Sequence, residues 1–321
     1  MQPASHGAVD HGMNNFSGIE FANKAAGFDR PTQAPRSEQQ RRQWQSANRT
    51  WWESTPMRYD WREAIAASLD SPAYFTEIDR RFLSSARNYA PWRTLPFETI
   101  IPFDALHDQD VLEIGVGQGT HAQLLAPRCR SFVGIDLTDQ AATATARRLR
   151  LFRLPGSILQ MDAEAMAFAD GSFDYIWSWG VIHHSADTER VLKEMHRVLR
   201  PGGSCTVMIY HRSWWHYYVC GFLRGVFQHR FRSHARLHHV VQSATDGVLA
   251  RYYTSRAWRR MADGLFTVES LRVYGLKGEI LPLPHGRLKS VIEGLVPAGV
   301  ARSMTNHLGM GSFLVAQMRK A

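Results

Sequence analysis

The feature that most constrains the fold is a regular alternation of apolar runs and helical segments between residues 110 and 211. The predicted strands cover residues 111–117, 131–136, 157–162, 173–180 and 204–211. Segments with the composition and spacing of helices connect these runs, among them 139–151 and 188–200. Strands that alternate with helices pair in parallel and form a sheet with helices on both faces. The alternation therefore predicts an α/β fold.

A glycine-rich loop, Glu113-Ile-Gly115-Val-Gly117-Gln-Gly119, follows the first predicted strand. Glycine permits a tight turn and close backbone approach to a ligand, and the helix that follows presents free N–H groups. Thr120 stands where the dinucleotide-binding pattern G-x-G-x-x-G needs a glycine. The carboxylate of Glu113 would repel a pyrophosphate but attract a cationic ligand. The loop therefore favours a nucleotide-like cofactor that carries positive charge over a dinucleotide.

Polar residues also end the next three predicted strands. Asp136 could accept both hydroxyls of a ribose, and Asp162 could accept from the amino group of an adenine. Ser178 and Trp179, at the end of the fourth strand, are expected to face the other end of the ligand. Because ligands of open α/β sheets bind at the carboxyl ends of strands, we expect these residues to form one site. Each carboxylate taken alone could equally cap a helix.

These motifs resemble the small-molecule class I S-adenosylmethionine-dependent methyltransferases of the ubiquinone/menaquinone-biosynthesis type. The resemblance rests on VLEIGVGQG, GID, MDAEAMAFADGSFD, VIHH and VLRPGG, and it covers about residues 95–215. It implies a Rossmann-like, seven-stranded, mostly parallel sheet with helices on both faces and S-adenosyl-L-methionine as the cofactor. The cofactor-binding residues that it implies are Glu113, Gly115, Gly117, Gly119, Asp136, Asp162 and Ala163.

The chain divides into five predicted parts. Residues 1–50 are polar and are predicted to be a disordered or loosely docked tail. The other parts are lid helices at 51–100, the cofactor-binding core at 101–212, an aromatic and basic cap at 213–265 after the fifth strand, and the end of the core at 266–321. The last part is predicted to contain an antiparallel pair of strands.

Two adjacent histidines, His183 and His184, follow the fourth strand and lie beside the expected methyl group. An imidazole titrates near neutral pH, so either residue could accept a proton from the acceptor during methyl transfer. A structural role for the pair is the alternative. Methyl transfer itself requires mainly alignment of the acceptor and exclusion of water.

Aromatic residues suggest where the acceptor binds. The run WWHYY at 214–218 follows the fifth strand, and aromatic side chains can form the wall of an apolar pocket. The predicted acceptor-binding residues are Tyr59, Trp179, Trp214, Tyr217 and Tyr218. Two alternatives remain for the run at 214–218: a helix packed on the sheet edge, or a segment that rests on an anionic membrane surface.

The C-terminal part of the chain is basic. Residues 200–321 contain 17 Lys/Arg and 5 Asp/Glu, which indicates either a solvated surface or an anionic partner. We expect a small apolar or amphipathic acceptor with an anionic group, which Arg212, Arg224, Arg230 and Arg232 could bind. The alternatives are a nucleic-acid methyltransferase and a non-catalytic S-adenosylmethionine-binding protein. The sequence SWGV, rather than a base-flipping motif, follows the fourth strand and argues against nucleic acid.

The remaining sequence features concern metals and location. The three cysteines fit neither a disulfide framework nor a CxxC metal site, and the histidines between 229 and 239 match no standard metal spacing, so no metal is expected. Neither a signal peptide nor an apolar run of membrane-spanning length is apparent. We therefore expect a cytoplasmic protein, in which contact with a membrane surface is peripheral. The sequence does not fix its oligomeric state.

Overall fold

A computed structural model describes residues 24–60, 63–234, 236–283 and 286–321. Its strands are β1 (Asp110–Ile114), β2 (Ser131–Asp136), β3 (Ser157–Gln160), β4 (Phe173–Trp179), β5 (Leu199–His211), β6 (Tyr252–Tyr253), β7 (Phe266–Tyr274) and β8 (Phe313–Lys320). Its α-helices are α1 (Glu38–Ser54), α2 (Pro72–Tyr89), α3 (Thr120–Leu125), α4 (Asp139–Leu151), α5 (Thr188–Val198), α6 (Gly221–Phe227), α7 (Leu237–Ser243), α8 (Ser255–Ala262), α9 (Arg287–Leu295) and α10 (Ala298–Arg302).

The strands form one sheet in the order β3-β2-β1-β4-β5-β8-β7. The first five strands are parallel, and β8 runs antiparallel between β5 and β7. The predicted mostly parallel Rossmann-like sheet is confirmed. The structure adds the two-residue strand β6, which pairs with the end of β5 and comes from within the segment predicted as a cap.

Side chains on successive strand residues point to opposite faces of the sheet, so the core has two parts. On one face, Leu112 and Ile176 pack with residues of α5 and α8. On the other face, Val111 and Trp177 pack with residues of α2, α3 and α4. Several of the helices begin at side-chain caps such as Thr138, whose hydroxyl accepts from the backbone N–H of Ala141. This arrangement fixes the carboxyl ends of the strands at one edge of a rigid core.

Helix α1 corrects the sequence analysis, which placed a loose tail over residues 1–50. The helix begins at Glu38 and buries Trp44, Gln45, Asn48 and Trp51. Two of these four residues are amides, so the apolar periodicity that marks a helix in a sequence is weak here. The prediction is wrong for residues 38–50, and the part of the predicted tail at 1–23 lies outside the described residues.

A buried arginine joins three helices to the glycine-rich loop. The Arg148 side chain is fully buried, and it donates to Gln123 Oε1 (2.7 Å), to the carbonyl oxygen of Gln118 (3.0 Å) and to Asp79. Its guanidinium lies 5.4 Å from the centroid of the Phe75 ring. Burial lowers the pKa of Arg148, and the nearby carboxylate of Asp79 opposes that shift. The lid helix α2 is thereby tied to α3, to α4 and to the loop.

Among the described residues, no helix combines the length and the apolar composition that a bilayer crossing requires.

We expect Arg148→Leu to lower the free energy of unfolding by about 3–5 kcal/mol, because the carboxylate of Asp79 then loses its buried partner. Arg147→Leu is the matched control, since its partner Asp70 is 76% exposed and the pair is screened by water. Arg147→Leu should lower the free energy of unfolding by no more than about 1 kcal/mol. Urea unfolding of the three proteins measures both values, and equal losses would contradict the role given to Arg148.

Candidate functional site

A cavity of about 390 Å³ lies at the carboxyl ends of the parallel strands. The residues that line it on β1, β2 and the loops that follow β1 and β3 include two glycines and two aspartates, Gly115, Gly117, Asp136 and Asp162, among apolar neighbours such as Ile114 and Ile135. The residues that line it toward β4, β5 and β8 are largely aromatic. The strand order therefore gives the cavity one polar half and one aromatic half.

The glycine-rich loop is built for close approach. Gly115 has a φ of +82°, and a Cβ atom placed on it would lie 2.2 Å from a methyl group of Val181. Gly117 has a φ of +53°, and a Cβ atom there would meet nothing within 4 Å. Since Gly117 lines the cavity, its backbone is open to a ligand and any side chain would occupy the ligand's space.

Asp136 both holds the loop and faces the cavity. Its carboxylate accepts hydrogen bonds from the backbone N–H of Gly117 (3.2 Å) and from the backbone N–H and hydroxyl of Thr138 (3.0 and 2.8 Å). Burial raises the pKa of Asp136, and these hydrogen bonds oppose the shift. A carboxylate has about four acceptor positions. One is therefore left for a ligand hydroxyl.

Asp162 is fixed by the lid and by its own turn. Its Oδ1 atom accepts from Gln45 Nε2 (2.8 Å) and from the backbone N–H of Glu164 (2.9 Å). Gln45 also accepts, through Oε1, from the backbone N–H of Ala186 (3.0 Å). Asn48 donates to the carbonyl oxygen of His184. Gln45 and Asn48 line the cavity. Helix α1 thus closes the polar half, and the sequence analysis missed both residues.

Glu113 lies behind the loop rather than in the cavity wall. It is buried, and its Oε2 atom has no hydrogen-bond partner. Burial raises its pKa well above the usual range, while Arg148 opposes the shift. An unsatisfied buried carboxyl oxygen beside a glycine loop suits a ligand with a positive charge. This observation fits S-adenosylmethionine, the cofactor that the resemblance implies.

The other predicted cofactor residues divide into two groups. Ala163 lines the cavity. Gly119 does not; a Cβ atom there would lie 3.0 Å from side-chain atoms of Arg148 and Thr145, so it packs against α4. Ser178 is fully buried, and its hydroxyl donates to the carbonyl oxygen of Ile114 (3.1 Å). Gly119 and Ser178 therefore lie outside the cavity lining, and their contact with the cofactor stays a prediction.

Five aromatic side chains surround the other half of the cavity, which we call the aromatic chamber: Tyr59, Phe82, Tyr89, Trp179 and Phe313. Tyr59 and Trp179 are predicted acceptor-binding residues. The Tyr59 ring packs on Phe82 at 5.3 Å, and its backbone has a φ of +58°, which costs energy for a residue with a side chain. Arg81 donates to the carbonyl oxygen of Tyr59 (2.9 Å) and stabilises this conformation. Trp179 stacks on the buried Trp177 at 5.2 Å.

The structure places the two adjacent histidines in different environments. His184 lines the cavity, and its Nδ1 atom lies 2.8 Å from the carbonyl oxygen of Leu249. If Nδ1–H donates in this bond, Nε2 carries the free lone pair. His183 is fully buried, lies outside the cavity lining, and has no hydrogen-bond partner for either ring nitrogen. Burial lowers the pKa of both residues, so both are neutral at physiological pH.

Two further polar residues border the chamber. The Tyr210 hydroxyl donates to Asp246 Oδ1 (2.7 Å), and both residues line the cavity. The Lys24 ammonium donates to the carbonyl oxygens of Thr245 and Gly247 and so holds the turn that carries Asp246. Burial lowers the pKa of Lys24 to about 8. Tyr210 lies near the end of the predicted fifth strand, and this position could have identified it as a site residue. Asp246 lies in an irregular segment, where no sequence motif marks it.

The prediction for the run at 214–218 is wrong. Trp214, Tyr217 and Tyr218 do not line the cavity. Tyr217 is buried against Tyr252 and donates to, or accepts from, His238 Nδ1 (3.1 Å). Trp214 and Tyr218 are 53% and 46% exposed. The run forms a π-helix, Trp214–Cys220, that leads away from the strand ends.

Across the described ranges, no group of three or more His, Cys, Asp and Glu side chains could hold a metal ion. Two of the clustered histidines have protein partners: His238 contacts Tyr217, and His239 contacts Asp29 (3.3 Å).

The comparisons with known proteins concern the same region. Residues 112–207 match a family model described as a methyltransferase domain. The chain is 34% identical to phosphoethanolamine N-methyltransferase 2 of Caenorhabditis elegans over 110 residues, which are 33% of this chain and 25% of that protein. It is 32% identical to demethylmenaquinone methyltransferase of Thermus thermophilus over 100 residues, which are 30% of this chain and 46% of that protein. These names give two different acceptors.

The matches cover only part of each relative. The chain spans between 25% and 61% of the length of the first curated relatives that it matches. A putative methyltransferase, solved in complex with the Haloferax volcanii Trm112 methyltransferase activator, has a TM-score of 0.50 and 15% identity. That likeness covers 77% of this chain and 94% of that one, and it shows the fold alone.

We expect Gly117→Arg to abolish binding of S-adenosylhomocysteine, because the new side chain fills the polar half of the cavity. Gly202→Arg is the matched control: Gly202 also has a positive φ, +74°, and open space around it, but it lies outside the cavity lining. Both variants therefore carry similar backbone strain. Isothermal titration distinguishes them, and tight binding by Gly117→Arg would place the cofactor elsewhere.

The raised pKa of Glu113 predicts that cofactor binding is coupled to proton release. A bound cation favours the ionised carboxylate and lowers its pKa, so affinity should fall as the pH falls through the pKa of the free protein. Titration of S-adenosylmethionine in two buffers of different ionisation enthalpy measures the released protons. Glu113→Gln should remove this release; a wild-type protein that releases none contradicts a cofactor cation at Glu113.

Proposed function

We propose that this protein transfers the methyl group of S-adenosylmethionine to a small acceptor with an apolar or aromatic body, because residues 112–207 match a family model described as a methyltransferase domain. One observation carries the choice of acceptor. The cavity that offers Gly117 and Asp136 to a cofactor is the same cavity that the aromatic chamber lines. A planar or apolar molecule of modest size suits such a chamber.

The polar half supplies the groups that hold the cofactor. Gly117 offers open backbone and Asp136 and Asp162 offer carboxylate oxygens, while Glu113 behind the loop is a buried carboxyl group that a bound cation would ionise. When bound, S-adenosylmethionine supplies an electrophilic methyl group on a sulfonium, whose leaving group needs no proton. The chain's own contribution is to align the acceptor and to exclude water, which α1 and the chamber walls accomplish.

The acceptor we propose also carries a hydrogen-bond donor. Asp246 lines the chamber and is oriented by the Tyr210 hydroxyl, so its remaining lone pairs are directed by a fixed partner. An acceptor N–H or O–H can donate to this carboxylate, which would accept the proton if the nucleophile loses one. His184 is the second candidate base, because it lines the cavity and is neutral.

The anionic group expected from the sequence is left out of the proposed acceptor. It was motivated by arginines between 212 and 232, and none of them lines the cavity. The guanidiniums that do line it, Arg80 and Arg81, pair with Glu77 at 2.6 and 2.7 Å. The acid Asp246 also faces the chamber. These charges favour a neutral or cationic acceptor over an anion.

The test is a turnover screen. The protein is incubated with S-adenosylmethionine and a panel of phenols, aromatic amines and prenylated compounds, with unmodified transfer RNA as a separate arm. Formation of S-adenosylhomocysteine with a methylated small molecule supports the proposal. Turnover with transfer RNA alone, or binding of cofactor without turnover in any arm of a broad panel, would support the nucleic-acid or the non-catalytic alternative instead.

For the best acceptor, we expect Asp246→Asn to lower kcat/KM by about 10²- to 10⁴-fold if the carboxylate accepts the acceptor's proton. The cofactor's Kd should stay within about twofold, since Asp246 is placed in the acceptor half. Asp263→Asn is the matched control, because that acid is exposed and outside the cavity lining. If Asp246→Asn turns over the acceptor as fast as the control does, the Asp246 carboxylate does not accept the acceptor's proton.

A further inference from the structure

We propose that one apolar and basic face of this protein docks on a membrane surface rich in anionic phospholipid. The face consists of residues 214–227 and α9, and we call it the docking face. Its large apolar side chains are between 46% and 78% exposed: Trp214, Tyr218, Phe222, Phe227, Leu288 and Leu295. Apolar surface of this extent marks an interaction site more often than a solvated one.

The exposed side chains follow from the periodicity of one continuous helix. The π-helix Trp214–Cys220 runs directly into α6, and the exposed residues 214, 218, 222 and 226 are four apart. The opposite side, which includes Tyr217 and Gly221, is buried against the body of the protein. The segment is thus an amphipathic helix with its aromatic side turned outward.

The turn Lys277–Ile280 connects this helix to α9. Trp214 Nε1 donates to the carbonyl oxygen of Leu308 (3.0 Å), and Trp215 Nε1 donates to that of Glu279 (2.9 Å). The same turn meets α9, since a Cβ atom placed on Gly278 would lie 3.0 Å from Glu293 Oε1. Both helices therefore pack on the same turn, and we assign their exposed apolar side chains to one face.

The charges beside the docking face favour an anionic membrane surface as its binding partner. Residues 212–245 contain no Asp or Glu, and their arginines are Arg212, Arg224, Arg230, Arg232 and Arg236. Arg232 and Arg236 are exposed. Arginines beside exposed tryptophan, tyrosine and phenylalanine are the composition of helices that lie in the interface of anionic bilayers. The apolar side chains and the arginines of residues 212–245 complement such a surface in both respects, and Glu293 of α9 is the one acid within the docking face, with Lys289 as its partner at 3.7 Å.

The docking face lies beside the aromatic chamber. Leu276, which lines the cavity, precedes the short turn Lys277–Ile280 that Trp215 contacts through Glu279. Docking on a bilayer would therefore bring the chamber near the apolar phase. The inference does not depend on turnover, because it rests on the surface alone.

The test is co-sedimentation of the full chain with vesicles of phosphatidylglycerol and phosphatidylcholine, beside vesicles of phosphatidylcholine alone. We expect sedimentation with the anionic vesicles that weakens as salt is added. The double variant Phe222→Ser/Phe227→Ser should bind about tenfold or more weakly. Leu69→Ser, which alters an exposed apolar residue outside the docking face, is its matched control and should bind like the wild type.

A second pair of variants tests the charges. Arg232→Glu/Arg236→Glu should bind the anionic vesicles about tenfold or more weakly than the wild type. The control is Arg259→Glu/Arg260→Glu, which changes the net charge by the same amount at exposed positions of α8. The control should bind the vesicles far better than the first variant. Thermal melts confirm that each variant is folded. The proposal is overturned if either double variant binds the anionic vesicles as well as its control does. It is also overturned if the wild-type protein does not sediment with anionic vesicles. A dimer that dissociates in Phe222→Ser/Phe227→Ser would assign the face to a second copy of this chain instead.

Discussion

The buried guanidinium of Arg148 is the interaction on which the cofactor half of this protein depends. A charge without access to water must be fully paired, and Arg148 finds its partners in Asp79 on α2, Gln123 on α3 and the Gln118 carbonyl in the glycine loop. Each partner belongs to a different element. The requirement to pair one charge thus fixes the loop and the helices α2, α3 and α4 relative to one another.

A second buried arginine organises the other side of the site. Arg251 donates to the carbonyl oxygens of Ser185 and Ala186 after β4, and to that of Gln33 (3.0 Å). Its guanidinium lies 5.2 Å from the ring centroid of Phe28. The segment inserted after β5 therefore packs on the turn that carries His184, together with the N-terminal segment. The insertion contributes to the cavity through one acid, Asp246, while its aromatic helix faces outward.

The sequence predicted the parts of the molecule that depend on local patterns. Apolar runs and the glycine loop fixed the parallel sheet and brought Gly115, Gly117, Asp136 and Asp162 to one edge, because strand ends in such a sheet converge by geometry. Their roles in binding remain predictions. Helix α1 was missed because its buried face carries Gln45 and Asn48, which show no apolar periodicity. Asp246 was missed because only the tertiary fold brings it to Tyr210. The run at 214–218 was misplaced because aromatic composition does not reveal which way a helix faces.

The central claim is that this cavity binds a cationic nucleoside cofactor rather than a dinucleotide. Titration calorimetry of the purified chain with S-adenosylmethionine, S-adenosylhomocysteine and NADH tests it most directly. We predict micromolar binding of the first two, typical of a preformed pocket with several fixed hydrogen bonds, and no heat from NADH. Binding of NADH with no response to either S-adenosyl compound would contradict the assignment of the glycine loop, of Glu113 and of the whole polar half.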